Sequence, residues 1–424
     1  MVDYIRRVLD ATLDTYQPLL AAVELYGAKG VGKTMTASQR AASVLRLDMA
    51  VDVQRLNADP KIITELPAPL LIDEWSRAPQ SWDLVRRAVD DGAPDGRFLL
   101  TASATVPDDI PVHSGAGRIV GFQMRPMSLA ERGLTKPSVS LTDLLKGSTK
   151  ISGQTEMRMA GYVHEIVSSG LPGIRFKPVE VRALMLDAYL KNLVQREFTD
   201  HDRRVRKPQT LMAWLAAYSA ATANVTSYTR ILDASTPGES DKPAKETTMA
   251  YRDALASLWM LDPLPAWLST NSPLDKLGQA PKHYLADPAL TCRLLHVNEH
   301  GLLSGDQGTG TKLRQGPLLG ALFEHLASLS VRVYAQASQA TVFHMRTFRG
   351  EHEIDMIVQS EQGAVLPIEV KLSQTVEEED IRHITWLREK LGSHCLDGVI
   401  LTTGEHAYRR QDGIAVVPLA LLGP

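Results

Sequence analysis

An eight-residue stretch near the start of the chain, "GAKGVGKT" (Gly27 to Thr34), constrains the fold more than any other feature. It matches the pattern Gly-x-x-x-x-Gly-Lys-Ser/Thr completely, follows the apolar run "AVELY" and opens a helical pattern, which is the context in which such a loop binds phosphate. Backbone N–H groups at Gly27, Gly30 and Gly32 are predicted to curl around the phosphate. Lys33 is predicted to reach the outer phosphates and Thr34 to offer its hydroxyl to Mg²⁺. A glycine-rich turn without a ligand is the alternative.

Two acidic residues follow the apolar run in "PLLIDEW". Asp73 and Glu74 are therefore predicted at the carboxyl end of a buried strand, where ligands bind in open α/β sheets. Asp73 is the candidate to hold Mg²⁺, directly or through water, and Glu74 is the candidate to orient and deprotonate the attacking water. The alternative is a strand followed by an ordinary polar turn.

The next predicted strand ends in "LTASA", where Thr101 and Ser103 carry hydroxyls suited to contact a terminal phosphate. Ser103 is taken as the candidate nucleotide contact. Arg118 precedes the following strand, a position from which an arginine can meet the phosphate held by a neighbouring subunit. In that case the protein is a homo-oligomer and Arg118 acts catalytically. The alternative is a surface arginine without this role.

The pattern of apolar residues predicts alternating strands and helices in the first 135 residues, which is typical of a parallel sheet. Helices are expected at 1–20 and 81–91, and strands near 22–26, 51–56, 68–75, 96–104 and 117–125. From 155 to 230 the pattern is helical, interrupted at "SSGLPG". The polar segment "STPGESDKPAKE" (235–246) is expected to be an exposed loop, and helical character returns in "TTMAYRDALASLWML". Further on, we expect a helix at 317–330 and strands at 331–336, 341–349, 353–360 and 365–373.

Composition narrows the class of protein. At 424 residues the chain has room for two to four domains of about 100–200 residues. A net charge of −3 excludes a globally basic nucleic-acid coat protein, so any nucleic-acid contact must be a local patch. Two cysteines exclude a disulfide framework. Because there is no signal-peptide pattern and no run of about 18 apolar residues, we expect a cytoplasmic protein without membrane contact.

The C-terminal part carries a second group of charged residues. Asp355 begins one predicted strand, Glu369 and Lys371 lie on the next, and the turn "SEQGA" joins the two strands. An antiparallel hairpin would place Asp355 beside Glu369 and Lys371, and the helix before it carries Glu324. Carboxylates of this kind hold Mg²⁺ or Mn²⁺, and a nearby lysine can position a water or stabilise developing charge. The arrangement resembles the PD-(D/E)xK nucleases; a purely structural, salt-bridged hairpin is the alternative.

These motifs together resemble a known family. Residues 22–135, with "LYGAKGVGKT", "PLLIDEW" and "GRFLLTASA", resemble the AAA+ ATPases. The whole chain is similar to bacterial and archaeal ATPases that join an AAA+ module to a C-terminal nuclease-like domain of unknown function, through "SGLPG", "YLKNLVQRE", "PKHYLADPAL" and "GPLLGALFEHL". The chain departs from that family at Ala102, where glycine is common, and at Glu197, where aspartate is usual.

The resemblance implies an α/β fold in four parts. We expect an AAA+ phosphate-loop core with a parallel sheet at 1–140, a helical lid at 141–208, a winged-helix-like segment at 209–280 and an α/β restriction-endonuclease-like domain at 281–424. A local basic cluster precedes the third part and could track a phosphate backbone, although a solvated helix end is the alternative. Its residues are Lys191, Arg196, Arg203, Arg204, Arg206 and Lys207.

Three functions are compatible with these motifs. The leading hypothesis is an ATP hydrolase with Mg²⁺ whose nucleotide state controls a nuclease-like domain acting on DNA or another nucleic acid. The alternative is an ATP-dependent switch, or a module that binds DNA or protein, without nuclease activity. A third hypothesis is a remodeller that acts on protein.

Overall fold

Residues 4–106, 113–147, 149–197, 208–236, 245–267, 280–304, 315–347 and 350–424 are described by this computed structural model. The chain divides between two units. The first is formed within Met1–Pro126, Leu171–Gly173 and Asp253–Met260, and the second within Met127–Gly170, Ile174–Arg252 and Leu261–Pro424. The finer division into four parts stays a prediction.

The first unit is built on the parallel sheet that the sequence predicts. Strands β1 to β5 span Ala22–Tyr26, Ser43–Arg46, Leu70–Asp73, Phe98–Ala102 and Ile119–Gln123. Helices α1 to α5 span Val8–Tyr16, Lys33–Ser38, Ala50–Ala58, Ile62–Glu65 and Gln80–Asp90. The strand order is β2-β3-β4-β1-β5, and all neighbours are parallel. Because β4 lies between β1 and β3, the carboxyl ends of these three strands meet at one edge of the sheet.

Residues 51–56 were expected as a strand, and this expectation is wrong. They lie in α3, and the second strand is Ser43–Arg46 instead. β2 is at the edge of the sheet and buries only Leu45, so it lacks the apolar run that marks a central strand. In α3, Val53 and Leu56 are three residues apart and both pack on the core of the unit, which is helical spacing.

Helices fill the middle of the chain, as predicted. Helices α6 to α14 span Leu141–Leu144, Met159–Val167, Pro172–Arg175, Val179–Asn192, Pro208–Ala220, Tyr228–Ser235, Lys245–Ser257, Pro288–Leu294 and Glu299–Leu303, and a π-helical turn spans Leu193–Glu197. Short 3₁₀ turns lie at Gln17–Leu19, Trp75–Arg77, Ala130–Arg132, Gly392–His394 and Leu419–Leu421. The described part of 209–280 contains α10 to α12, and its winged-helix character stays a prediction.

The second unit contains a mixed sheet. Strands β6 to β14 span Val139–Ser140, Gly153–Gln154, Thr341–Arg346, Glu353–Gln359, Val365–Val370, Val399–Thr402, His406–Arg409, Ala415–Pro418 and Leu422–Gly423. Seven of them form a sheet in the order β7-β12-β13-β11-β10-β9-β8, and β14 pairs with β6. Helices α15 (Gln315–Ala337) and α16 (Glu378–Leu391) complete this α/β arrangement.

The C-terminal predictions are confirmed in part. β9 and β10 form the expected antiparallel hairpin, with Ile368 opposite Met356. The strand expected at 331–336 is wrong, because these residues continue α15. Val331, Tyr334 and Ala335 are fully buried at helical spacing, so packing outweighs the strand preference of a valine-rich segment.

None of the helices in the described part of the chain is both long and apolar enough to cross a membrane.

Candidate functional site

The loop from Gly27 to Thr34 joins β1 to α2 in the geometry that its glycines permit. Gly27 has φ of +147°, and a Cβ there would lie 2.2 Å from the carbonyl oxygen of Met124. Gly32 precedes the first residue of α2 with φ of +108°, a backbone conformation that favours glycine. The loop therefore depends on glycine both for its path and for its close approach to Met124, just after β5.

Lys33 is folded back inside this loop. Its Nζ donates to the carbonyl oxygens of Gly27 at 2.8 Å and Ala28 at 3.0 Å, and the residue is 4% exposed. Burial lowers the pKa of Lys33 to about 8, against the opposing effect of the Glu74 and Asp73 carboxylates. The positive charge thus lies within the loop, where a phosphate would be bound, and it must exchange its carbonyl partners to reach one.

Asp73 lies at the end of β3 between two hydroxyl groups. Thr34 Oγ1 donates to its Oδ1 at 2.8 Å, and Thr101 Oγ1 donates to the same atom at 2.5 Å. Hydroxyl and carboxylate oxygens are the ligands that Mg²⁺ prefers, in sites that phosphate oxygens and waters complete. Thr34 and Asp73 are therefore suited to hold the ion that the sequence predicts here.

Glu74 is held by the end of the neighbouring strand. Its backbone is left-handed, with φ of +55°, and its N–H donates to Thr101 Oγ1 at 3.1 Å. Its carboxylate accepts from Ser103 Oγ at 2.5 Å. Ser103 thus contacts the predicted catalytic carboxylate, whereas the fully buried Thr101 contacts Asp73 and the Glu74 backbone at once.

Arg7, which directly precedes α1, contacts this loop and was missed by sequence reasoning. Its guanidinium is buried and donates to the carbonyl oxygens of Val31 at 2.8 Å and Arg125 at 2.9 Å. Arg7 thereby braces the loop against the chain that follows β5. The available signal was a basic residue at the start of an amphipathic helix, which more often lies in solvent.

Arg118 lies away from these contacts. Its Nε donates to Asp90 at the end of α5 at 2.8 Å, and its side chain is 45% exposed. This hydrogen bond lowers the pKa of Asp90. A role for Arg118 towards a second subunit stays a prediction.

The predicted acidic residues of the C-terminal part converge in the second unit. Asp355 accepts a hydrogen bond from the N–H of Val370 at 3.0 Å, next to Glu369, and Lys371 Nζ lies 3.6 Å from Glu369 Oε2. Glu324 reaches the same place from α15. We call Glu324, Asp355 and Glu369 the carboxylate cluster.

A lysine absent from the sequence prediction lies inside the carboxylate cluster. Lys282 Nζ donates to Glu324 Oε1 at 2.9 Å and to Asp355 Oδ1 at 2.8 Å, and the residue is 1% exposed. Tyr284 donates to the same oxygen of Glu324 at 2.6 Å. Lys282 and Tyr284 are two residues apart in "PKHYLADPAL", and this spacing was the only signal available.

The cluster is strongly perturbed electrostatically. Burial disfavours the charge on Lys282, but Asp355 and Glu324 outweigh burial and raise its pKa well above the ordinary value. Burial and the Asp355 charge raise the pKa of Glu324 to about 7 and that of Glu369 well above its usual range. Burial opposes ionisation of Asp355, yet the Lys282 charge holds the pKa of Asp355 below its usual value.

This donor set does not fit a divalent metal ion as it stands. Two of the three predicted ligands bond to the Lys282 ammonium, which is itself a cation. Within the ranges that the structure describes, no group of three or more His, Cys, Asp or Glu is arranged to hold a metal. Ligation by Glu324, Asp355 and Glu369 stays a prediction that this geometry does not favour.

The basic cluster proposed for nucleic-acid contact is described only at its start. Lys191 is exposed in the last turn of α9. The side chain of Arg196 and the residues at 203–207 lie outside the described part of the chain. This prediction is therefore untested.

Comparison with known proteins identifies the first unit's sheet region most clearly. A family model described as an AAA domain matches residues 21–132, which include the loop, Asp73, Glu74, Ser103 and Arg118. Two models of domains of unknown function match later parts of the chain, DUF8612 at 159–301 and DUF4143 at 319–422. The chain thus contains an AAA-type ATPase domain, and no model assigns an activity to the C-terminal part.

Similar whole proteins add little on activity. The uncharacterized protein Rv2008c of Mycobacterium tuberculosis (strain ATCC 25618 / H37Rv) is 23% identical over 379 residues, which cover 87% of this chain and 72% of the relative. The uncharacterized protein Mb2031c of Mycobacterium bovis gives the same values.

Two solved structures align over large parts of the chain. The ORC2 protein of Aeropyrum pernix, in ADPNP–ADP complexes, aligns with TM-score 0.28 at 16% identity, over 68% of this chain and 92% of that one. A point mutant of the RuvB protein of Thermotoga maritima aligns with TM-score 0.28 at 18% identity, over 61% of this chain and 88% of that one. Scores this low do not establish a shared fold.

Proposed function

We propose that this protein is an ATP hydrolase that uses Mg²⁺ at the loop Gly27–Thr34. The observation that supports it best is that Thr34 and Thr101 both donate to Asp73 Oδ1, while Thr101 also accepts from the N–H of Glu74. A hydroxyl, a metal-binding carboxylate and a base candidate are the groups that hydrolysis of a phosphoanhydride needs at one place.

Each residue has a separate task in this proposal. The N–H groups around Gly27, Gly30 and Gly32 bind phosphate oxygens, and Lys33 leaves the Gly27 and Ala28 carbonyls to neutralise the outer phosphates. Thr34 and Asp73 hold Mg²⁺, which shields phosphate charge when bound.

Water activation falls to Glu74. Its carboxylate is bonded to Ser103, so that bond must open for Glu74 to accept a proton from water. Ser103 then acts on the nucleotide through Glu74, and Thr101 keeps the Glu74 backbone and Asp73 in a fixed relation.

The test measures nucleotide binding and phosphate release separately. We expect Lys33→Ala to lose binding of a fluorescent ATP analogue, and Glu74→Gln to bind it but release no phosphate. Glu65→Gln, on an exposed helical turn of the same unit, is the matched control and should behave as the wild type. Hydrolysis at the wild-type rate by Glu74→Gln would contradict the assignment of the base.

For the C-terminal unit, the geometry supports the switch hypothesis better than the nuclease hypothesis. The observation that supports this is that the Lys282 ammonium bonds to two of the three carboxylates that a nuclease would need for its metal, Glu324 and Asp355. The nucleotide state then sets the conformation of a module that binds nucleic acid or protein and does not cut it.

Cleavage assays distinguish these functions. Single- and double-stranded DNA and RNA would be incubated with the full chain, Mg²⁺ or Mn²⁺, with and without ATP. We expect no cleavage. Cleavage that Glu369→Ala abolishes would establish the nuclease instead, with Lys371 as its catalytic lysine. Stimulation of ATP hydrolysis by DNA, weakening steeply with salt, would identify a nucleic-acid partner, whereas stimulation by protein alone would favour a remodeller.

A further inference from the structure

We propose that Lys282 takes the place of a divalent cation in the carboxylate cluster, and that it locks the segment 280–287 to α15 and to the β9–β10 hairpin. The wild-type protein then excludes Mg²⁺ and Mn²⁺ from this cluster. The inference concerns the second unit and does not rest on ATP hydrolysis by the first.

Two carboxylate oxygens already bond to the Lys282 ammonium. Glu324 Oε1 and Asp355 Oδ1 each lie within 2.9 Å of the same ammonium nitrogen, and Glu353 Oε1 lies 3.6 Å from it. A magnesium ion needs oxygens at about 2.0–2.1 Å in a near-octahedral arrangement. An ion bound by these two oxygens together would therefore have to occupy the volume of the Lys282 Nζ.

Two hydrogen bonds also fix the backbone of Lys282. Its N–H donates to the carbonyl of Leu264 at 3.0 Å, and its own carbonyl accepts from Leu264 at 2.9 Å. The next residue, His283, is bonded in the same way by Asn224 and Ala223. With its backbone paired and its side chain 1% exposed, Lys282 holds its ammonium in place between the carboxylates, so a metal would have to displace it from fixed partners.

The positive charge of Lys282 compensates the negative charges of the buried carboxylates. A buried carboxylate without a counter-ion is strongly disfavoured, so these carboxylates need a cation of some kind. Lys282 supplies it from within the chain, and Tyr284, two residues later, adds a hydrogen bond to Glu324. The segment 280–287 is thus tied by two side chains to a helix and a strand that come later in the sequence.

A prediction about metal follows. Removing the ammonium should uncover a cation site, because the carboxylates remain and the volume of the side chain becomes free. Lys282→Ala should therefore gain one Mn²⁺ per chain, and Lys282→Ala with Asp355→Asn should lose it again. Thr34 and Asp73 are unchanged in all variants, so differences between variants report on the cluster alone.

The experiment uses the full chain without nucleotide. Bound Mn²⁺ is counted by electron paramagnetic resonance, and thermal melting is followed with and without Mn²⁺. We expect equal Mn²⁺ counts for the wild type and Asp355→Asn, and a melting temperature that Mn²⁺ raises only in Lys282→Ala. A wild-type Mn²⁺ site that Asp355→Asn removes would overturn the proposal, as would a folded Lys282→Ala that gains none.

A second variant covers the case in which Lys282→Ala fails to fold. Lys282→Met keeps the length of the side chain, and Lys282→Met with Glu324→Gln and Asp355→Asn also removes the unpaired charges. If the triple variant melts at a higher temperature than Lys282→Met, charge compensation by Lys282 is supported. If it melts lower or equally, Lys282 does not replace a cation and the proposal fails.

Discussion

Thr101 offers the sharpest test of how the proposed nucleotide site is held together. Its fully buried hydroxyl donates to Asp73 Oδ1 and accepts from the N–H of Glu74. Thr101→Val keeps the shape of the side chain and removes both bonds. A lost hydrogen bond to a charged group costs about 1.5–3 kcal/mol, and an N–H without its partner adds to that cost. Because Asp73 keeps its bond to Thr34, we expect the unfolding free energy of the first unit to fall by about 2–3 kcal/mol.

Urea unfolding of the nucleotide-free protein, followed by tryptophan fluorescence, measures this loss. Trp75 directly follows Glu74 and packs on Trp82 with ring centroids 4.4 Å apart, so it reports on the site. Ser103→Ala is the matched control, because it removes one half-buried bond to Glu74 and should cost less than about 1 kcal/mol. Equal losses in both variants, or no loss in Thr101→Val, would refute the view that one hydroxyl organises both carboxylates.

Three further outcomes are expected. Gly27→Ala should abolish binding of a fluorescent ATP analogue, since its Cβ would lie 2.2 Å from Met124 O; unchanged affinity would contradict the loop geometry. His344 is buried and donates to the Ala280 carbonyl, and burial lowers its pKa to about 4. The unfolded chain therefore binds the extra proton between pH 6.5 and 4, so the unfolding free energy falls as pH falls, by up to about 3 kcal/mol. His344→Gln should flatten this slope in urea unfolding at several pH values, and an unchanged slope would assign it to other groups. Arg118→Ala should abolish any rise of specific ATPase activity with protein concentration, whereas a flat wild-type profile would favour a monomer.

The arrangement of the proposed nucleotide site was largely predictable, because the information that specifies it is local or follows from sheet geometry. The loop "GAKGVGKT" carries its own backbone requirements, and the strands before Asp73 and Thr101 read as buried runs. Once the sheet is parallel, these strand ends share one edge. The sequence could not show which hydroxyl contacts which carboxylate. Thr101 and Ser103 are two residues apart and both carry a hydroxyl, and only their packing places Thr101 on Asp73 and Ser103 on Glu74.

The carboxylate cluster was predictable from the sequence only in part. The hairpin that brings Asp355 to Glu369 follows from a short turn and alternating apolar residues, and it was predicted. Lys282 was not, because it comes from an irregular stretch joined to the rest by isolated bridges. A buried lysine also contradicts the ordinary preference of that residue for the surface.

The two misassigned strands have a common cause. Both "VDVQRL" and "VRVYAQ" contain valines at alternate positions, which favours a strand over a window of six residues. Their burial follows helical spacing instead, through Leu56 in one case and Tyr334 in the other. Over only six residues, the two-residue period of a strand cannot be distinguished from the 3.6-residue period of a helix.

The pairing of β6 with β14 has a consequence for biosynthesis. Val139 is opposite Leu422 and Gln154 is opposite His406, so two early strands of the second unit find their partners only among its last residues. At about 5–20 residues per second, a ribosome takes on the order of tens of seconds to deliver them. During that interval the backbone N–H and C=O groups of β6 and β7 have no strand partner, and a chaperone or another chain can pair with them. The second unit therefore completes these strand pairs only after residues 406–423 have been synthesised, and its yield should depend on what occupies the open edges first.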